Sequence, residues 1–376
     1  MSDSAAPLSF EFLATDGHAR TGRLHTRRGT VRTPAFMPVG TAGSVKGLFP
    51  WQVEELGAEI ILANTYHLHL RPGEQTVRRL GGVHRLAGWE RPILTDSGGY
   101  QVFSHGERCR LDDDGVTFRD HIEGSERRLT PERSIEIQQA LGSDIMMALD
   151  DCTGQPTDRD AAAAALRRTT LWLPRNKAAR TDATAALFGI VQGGVFEDLR
   201  RESLECTVAE GFDGYAVGGV SVGEGREEVQ RIVALMGPRL PEAAPRYLMG
   251  MGRPEDILDA VAAGFDMFDC VIPTRHGRNA QVFTRRGILN MRNARHKEDP
   301  QPIDKACGCR VCRNFSRAYL RHLYVAGEML GPLAGTWHNL HFYLELMEEI
   351  REAIAAGSFA ALRARRLSWL EEGEPT

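Results

Sequence analysis

Four polar side chains stand directly against the C-terminal ends of short apolar runs. Asp96 follows Pro92-Ile93-Leu94-Thr95, Asp150 follows Ile145-Met146-Met147-Ala148-Leu149, Gln192 follows Leu187-Phe188-Gly189-Ile190-Val191, and Asp269 follows Met267-Phe268. Carboxylates and an amide held at the mouths of buried strands are what a barrel enzyme builds an active site from, because several strands then converge on one opening. Glycines collect at the same places, in Gly193-Gly194, Gly218-Gly219 and Gly250. A second chemistry is written in Cys307-Gly308-Cys309-Arg310-Val311-Cys312. Three thiolates at this spacing converge on one tetrahedral ion such as Zn2+, with a fourth ligand from His322, His338 or His341, among which spacing does not choose. A closed four-ligand site of this kind is structural rather than catalytic.

Seven β-rich runs alternate with amphipathic stretches: the four above, Ile60-Ile61-Leu62-Ala63, Tyr215-Ala216-Val217 and Tyr247-Leu248-Met249. Helical patterns cover 130–141, 158–177, 198–210, 226–236 and 254–263. Strand and helix in alternation imply a parallel sheet with crossover helices, and strands that read as continuous apolar runs are buried on both faces. Seven or eight such units with no linker between them favour an α/β fold of the (β/α)8 TIM barrel type over the runner-up, a doubly wound open sheet. The chain thus reads as one barrel domain over 1–376, with a zinc-binding subdomain at about 285–350 whose helices, 315–329 and 341–355, the ion fastens to the barrel.

With 46 Lys and Arg against 50 Asp and Glu, the formal charge is −4, and 42% hydrophobic with 26% charged residues is an ordinary globular composition that excludes disorder as the dominant state. Seven cysteines, an odd number on a long chain, argue for reduced thiols or a metal rather than a disulfide framework. The opening MSDSAAPLSFEF has no signal pattern, so a cytoplasmic protein is expected. The modest net charge hides an asymmetry: residues 271–323 carry twelve Lys and Arg against three acids, a local charge of +9 and a footprint for phosphates. Two other patterns carry less. Gly218-Gly219-Val220-Ser221-Val222-Gly223-Glu224-Gly225 lacks the Lys-Ser/Thr of a phosphate loop, and its glycines equally suit a flat ligand lying on backbone. His67-Leu68-His69 has the HxH form of metal-dependent barrel hydrolases, but no later strand in this reading ends in a histidine to complete a catalytic site.

The chain resembles the tRNA-guanine transglycosylase family, of the bacterial type. The likeness is carried by Thr95-Asp96-Ser97-Gly98-Gly99-Tyr100-Gln101-Val102, residues 131–138, Phe188-Gly189-Ile190-Val191-Gln192-Gly193, residues 211–219, Tyr247-Leu248-Met249-Gly250 and residues 267–275, and runs from about Phe10 to Phe359. The resemblance implies a (β/α)8 barrel with one structural Zn2+ per subunit on Cys307, Cys309, Cys312 and His338. It also implies base exchange: guanine at the first anticodon position of certain tRNAs is replaced by a 7-deazaguanine in queuosine biosynthesis.

Replacing a base with retention needs two displacements at the anomeric carbon, as in retaining glycosidases. By resemblance Asp269 is the nucleophile and Asp96 the general acid/base. Asp150 matches the residue that accepts from N1–H and the 2-amino group of guanine, while Gln192 and the Gly219 N–H meet O6. Tyr100 and Met249 sandwich the ring. Cys152 and Val222 resemble the branch that takes 7-aminomethyl-7-deazaguanine rather than queuine, with the Val220 carbonyl meeting the aminomethyl group. Arg275 and Arg278 are placed to contact RNA. Asp151 stands where the family usually has Glu and His276 where it commonly has Ser; neither is expected to change the reaction. The family is commonly homodimeric. The alternative is a non-catalytic RNA-binding partner, which would be expected to lack a catalytic aspartate; an archaeal-type enzyme would be expected to carry an added C-terminal domain, for which a chain ending at Thr376 leaves no room.

Overall fold

The structure is a computed structural model and describes residues 7–104, 109–154, 157–220 and 222–372. Eight strands form the sheet at its centre: β1 (Ala35–Pro38), β2 (Ile61–Ala63), β3 (Ile93–Thr95), β4 (Ile145–Met147), β5 (Ala186–Val191), β6 (Gly214–Val217), β7 (Arg246–Leu248) and β8 (Met267–Cys270). Each pairs in parallel with its neighbours in chain order, and β8 returns to pair with β1, Met267 opposite Ala35. The ring is completed by a parallel bridge between Val39 and Leu62, where the Gly40 N–H donates to the Leu62 carbonyl at 2.6 Å. The barrel expected from the alternation of strand and helix is therefore present, and the open sheet is not.

Alternate strand residues point inward. Met37, Leu62, Leu94, Ile145, Met147, Phe188, Ile190, Ala216, Tyr247 and Met267 make one buried cluster with Leu24 and Val31, which come from an N-terminal antiparallel sheet of Leu8–Asp16, Ala19–Thr26 and Gly29–Thr33. That sheet plugs the bottom of the barrel. Two buried carboxylates just before the strands fasten it there: Asp144 accepts from Arg27 and His84, and Asp266 from Arg20, all at 2.5–2.9 Å.

The helices that matter for the site are α1 (Pro131–Leu141), α2 (Arg159–Ala179), α3 (Glu197–Glu210), α4 (Arg226–Met236), α5 (Pro254–Ala262), α6 (Ile272–Arg278), α7 (Arg317–Ala326) and α8 (Leu330–Ala355). The Thr130 and Asp158 side chains cap α1 and α2 by accepting from the N–H groups of Arg133 and Ala161, which satisfies donors that a first turn leaves open. Between β3 and α1 lies a small antiparallel sheet, Cys109–Asp112, Gly115–Arg119 and Glu126–Leu129.

Two expectations need correction. The second C-terminal helix begins at Leu330 rather than near 341. Gly331 and Gly335 weaken the helical signal of its first turns, but a β-carbon at Gly335 would come within 2.7 Å of the Gly277 carbonyl, so the glycine is what lets α8 lie against α6. The first C-terminal helix stops at Ala326, because Gly327 takes a left-handed φ of 77° and ends it. No helix among the described residues is long and apolar enough to cross a membrane.

Candidate active site

Asp96 follows β3, Asp150 closely follows β4, Gln192 follows β5, Gly219 closely follows β6, Met249 follows β7, and Asp269 is the third residue of β8. The strand ends therefore place all of them at the C-terminal mouth of the barrel.

Asp96 is buried within a ring of donors. Its carboxylate accepts from Asn64 Nδ2 at 2.5 Å, the Thr65 N–H at 2.7 Å and Gln101 Nε2 at 2.8 Å. Burial nonetheless raises its pKa, and the negative charge of Asp269 raises it further. A carboxyl that tends to hold its proton is suited to donating one. Asp269 accepts from the Tyr247 hydroxyl at 2.5 Å and the Gly250 N–H at 2.8 Å, both on Oδ1. Burial raises its pKa, while these two donors favour the charged form. The arrangement keeps two carboxyls with distinct surroundings across one opening, as acid and nucleophile require.

Asp150 is 5% exposed, and its Oδ2 accepts from Gln192 Nε2 at 2.5 Å. Burial pushes the Asp150 carboxyl up to about 6. Gly218 and Gly219 lie flat over the Gln192 side chain. A β-carbon at Gly219, whose φ is 61°, would come within 2.3 Å of Gln192 Oε1. Met249 faces the same place, its Sδ 3.5 Å from where a Gly218 β-carbon would stand. Cys152 is buried beside Asp150, with its thiol pushed up to about 12 and so neutral. Val220 is buried and Val222 half-buried, the Val222 N–H donating to Glu224 Oε2 at 2.9 Å; Ser221 of this loop lies outside the described residues. Tyr100 sits on the short helix Gly99–Ser104 with 53% of its surface exposed, so its ring is open to a ligand at the mouth.

The two departures from the family pattern find partners. Asp151 accepts from Arg168 Nε at 2.7 Å. The His276 ring stacks on Phe283 at 5.5 Å and 9°, and burial, with the nearby Arg275 and Arg253, lowers its pKa and keeps it neutral. Arg275 is exposed and Arg278 half-buried on α6, and neither forms an ion pair among the described residues. Elsewhere the basic segment is partly neutralised by acids outside it: Arg285 pairs with Glu345, Arg286 with Glu372 and Arg310 with Glu55. The phosphate footprint is thus narrower than its +9 charge.

At the cysteine cluster, ligand atoms of Cys307, Cys309, Cys312 and His338 all lie within 4.8 Å of one another, the only group of metal-ligand type among the described residues. His338 Nδ1 stands 3.9, 3.5 and 3.4 Å from the three sulfurs. A tetrahedral ion with ordinary Zn–S and Zn–N bonds sets that edge at about 3.6 Å, so the donors fit zinc. The Phe283 carbonyl, 2.6 Å from Nε2, can only accept, so Nε2 carries the proton and Nδ1 turns its lone pair to the sulfurs. His341 approaches only Cys307, at 3.7 Å. Spacing left three histidines open, and the geometry selects His338. His67 and His69 lie on a helix, Thr65–Leu70, rather than a strand, so they do not share a face; His69 bonds Glu74 Oε2 at 2.7 Å.

Several residues of the site are given no role by the sequence reading, although Gln101 and Tyr247 lie within motifs that carry the resemblance. Tyr247 is an inward residue of an apolar run, Asn64 reaches Asp96 from the end of β2 and Gln101 from the short helix just after that aspartate, and Arg200 of α3 is wholly buried under the loops after β5 and β6. Beyond those motifs, only the strand-end position of Asn64 was a signal.

The family model described as Queuine tRNA-ribosyltransferase matches residues 16–371. The queuine tRNA-ribosyltransferase of Ruegeria pomeroyi is 54% identical over 357 residues, 95% of each chain. That of Cereibacter sphaeroides is 55% identical over 350 residues, 93% of each chain, and that of Zymomonas mobilis subsp. mobilis 53% over 357 residues, 94% of this chain and 92% of its own. A match of this extent, on a closed barrel with two aspartates at its mouth and a Cys3His group in its C-terminal segment, places the chain in the queuine tRNA-ribosyltransferase family.

Proposed function

We propose that this protein exchanges guanine at the first anticodon position of tRNA for 7-aminomethyl-7-deazaguanine, in the synthesis of queuosine. The observation that carries this reading is the pair of carboxyls, buried Asp96 and half-buried Asp269, at one opening beside the Asp150, Gln192 and Gly219 cluster. In the first displacement an Asp269 oxygen attacks C1′ of the ribose as the bond to guanine breaks, and Asp96 gives its proton to the departing base. In the second, the incoming base attacks C1′, its N9 proton returns to Asp96, and the Asp269 carboxylate is released. The two donors on Asp269 Oδ1 hold that carboxylate in place for attack.

Asp150 accepts from N1–H and the 2-amino group, and Gln192 with the Gly219 N–H meets O6. Tyr100 and Met249 flank the ring. Cys152, Val222 and the Val220 carbonyl form the side that admits an aminomethyl group. Arg275 and Arg278, on the helix that follows the nucleophile, hold phosphates. Cys307, Cys309, Cys312 and His338 hold Zn2+, which when bound fastens the C-terminal segment as a structural ion and supplies no step of the reaction. Two copies work as a homodimer; supporting this, Phe49 and Trp51 stack at 4.3 Å with 59% and 61% of their surface exposed, an apolar pair open to a partner.

Incubating the protein with tRNA and guanine and running a denaturing gel tests the central step. The parent is expected to give a slower-migrating covalent band that Asp269→Asn does not form. A parent without the band, or an equal band from the variant, refutes it and favours an RNA-binding partner. Supplying the aminomethyl base against queuine is expected to yield incorporation of the former.

A further inference from the structure

Arg200 is 0% exposed, and among the described residues no carboxylate pairs with it. A buried cation without a counter-ion is costly unless dipoles replace the water it lost. Here four carbonyls do so. Nε donates to Gly194 at 2.8 Å, Nη1 to Val191 at 2.9 Å and to Gly218 at 2.7 Å, and Nη2 to Gly219 at 3.1 Å. All four belong to the two segments that carry Gln192 and Gly219.

The direction of these bonds matters. In a planar trans peptide the C=O and N–H point opposite ways. Drawing the Gly218 carbonyl toward Arg200 therefore turns the Gly219 N–H away from it. The Val191 carbonyl, shared by Arg200 and the Gly218 N–H at 3.1 Å, turns the Gln192 N–H onto Ser203 Oγ at 2.9 Å in the same way. A cation on the carbonyl side also polarises the peptide and strengthens its N–H as a donor. Lysine could not substitute: a point charge with three donors does not span four carbonyls on two loops as a planar fork does.

We propose that Arg200 is a positioning residue for base recognition, aiming the Gly219 N–H and seating Gln192 for the 6-oxygen of a guanine-type base without touching the base itself. This rests on the assignment of Gln192 and Gly219 to that oxygen. The test compares guanine with 6-thioguanine, which keeps N1–H and the 2-amino group but offers a weaker acceptor at position 6. Guanine KM, the inhibition constant of 6-thioguanine and tRNA KM are measured in the exchange reaction for the parent, Arg200→Lys and Arg200→Met.

The parent is expected to prefer guanine by about tenfold, the worth of one good N–H···O bond. Arg200→Met is expected to raise guanine KM and shrink that preference to about twofold while tRNA KM stays near the parent value, with Arg200→Lys between. If the methionine variant does not fold, the lysine variant decides. A parent preference kept in the variants overturns this inference alone. A parent with no preference overturns the assignment of Gln192 and Gly219 and this inference with it.

Discussion

Replacing Asp150 with asparagine is expected to stabilise the protein and cripple its recognition of the base. The carboxyl is pushed from 3.8 to about 6, chiefly by burial, with the charge of Asp151 adding and hydrogen bonds from Gln192 and Ser97 opposing. Because the folded value lies above the unfolded one, the fold binds this proton more tightly than the unfolded chain does. The stability that follows is fully present below 3.8 and is lost as pH rises through about 6. Between those limits the loss is about 3 kcal/mol, which at pH 7.5 is the cost of keeping the carboxylate charged and buried.

Asparagine keeps the shape and an oxygen to accept from Gln192 Nε2, but carries no charge. Asp150→Asn should therefore be more stable by about 3 kcal/mol at pH 7.5 and by about half that at pH 5. For a chain of 376 residues this is a rise in melting temperature on the order of 4 °C at pH 7.5. The same change presents an amide N–H to the donors of guanine, so guanine KM should rise by at least about tenfold. In the parent, affinity for the base should increase as pH rises through about 6, as the carboxylate forms. Calorimetry at the two pH values and exchange kinetics check both halves. A variant that melts no higher than the parent at pH 7.5, or whose advantage does not shrink at pH 5, refutes the burial argument.

Tyr247→Phe removes the 2.5 Å bond to Asp269 and with it one effect that favours the charged nucleophile; kcat should fall by about tenfold and the acid limb of its pH profile move upward, and an unchanged profile would count against the hydroxyl's role. His338→Ala should release the metal, read as zinc per chain by elemental analysis, and lower the melting temperature on the order of 10 °C, whereas His341→Ala should retain it. Changing Arg275 and Arg278 together to alanine should raise tRNA KM, flatten the salt dependence of tRNA binding by about one for each phosphate no longer neutralised, and leave guanine KM alone; a shift in guanine KM would place them in the base site instead.

Seven of the eight barrel strands are legible as apolar runs, because strands covered on both faces carry no polar alternation to confuse them. The eighth, β1, is Ala35-Phe36-Met37-Pro38, with Pro34 before it and a proline as its own last residue, and is not among those runs. It pairs with β8 through Ala35 to Pro38, a partnership more than 200 residues distant that no local pattern records. The antiparallel plug and the sheet at 109–129 escaped for a like reason: their strands are half-exposed and broken by arginines and acids.

What the sequence by itself determined is the set of reactive groups and the elements that carry them: Asp96, Asp150, Gln192 and Asp269 at strand ends, and a thiol cluster spaced for a tetrahedral ion. Residue type and neighbouring periodicity are local properties, and a linear chain displays them. Tertiary structure decided which groups meet. It put Asn64 and Gln101 on Asp96, Tyr247 on Asp269, and His338 rather than His341 against all three sulfurs. It also put Arg200, one cation among many in a charged helix, beneath the loops that carry Gln192 and Gly219. Burial and hydrogen-bond partners arise only when distant segments close on one another, and they are what distinguish one aspartate from the next.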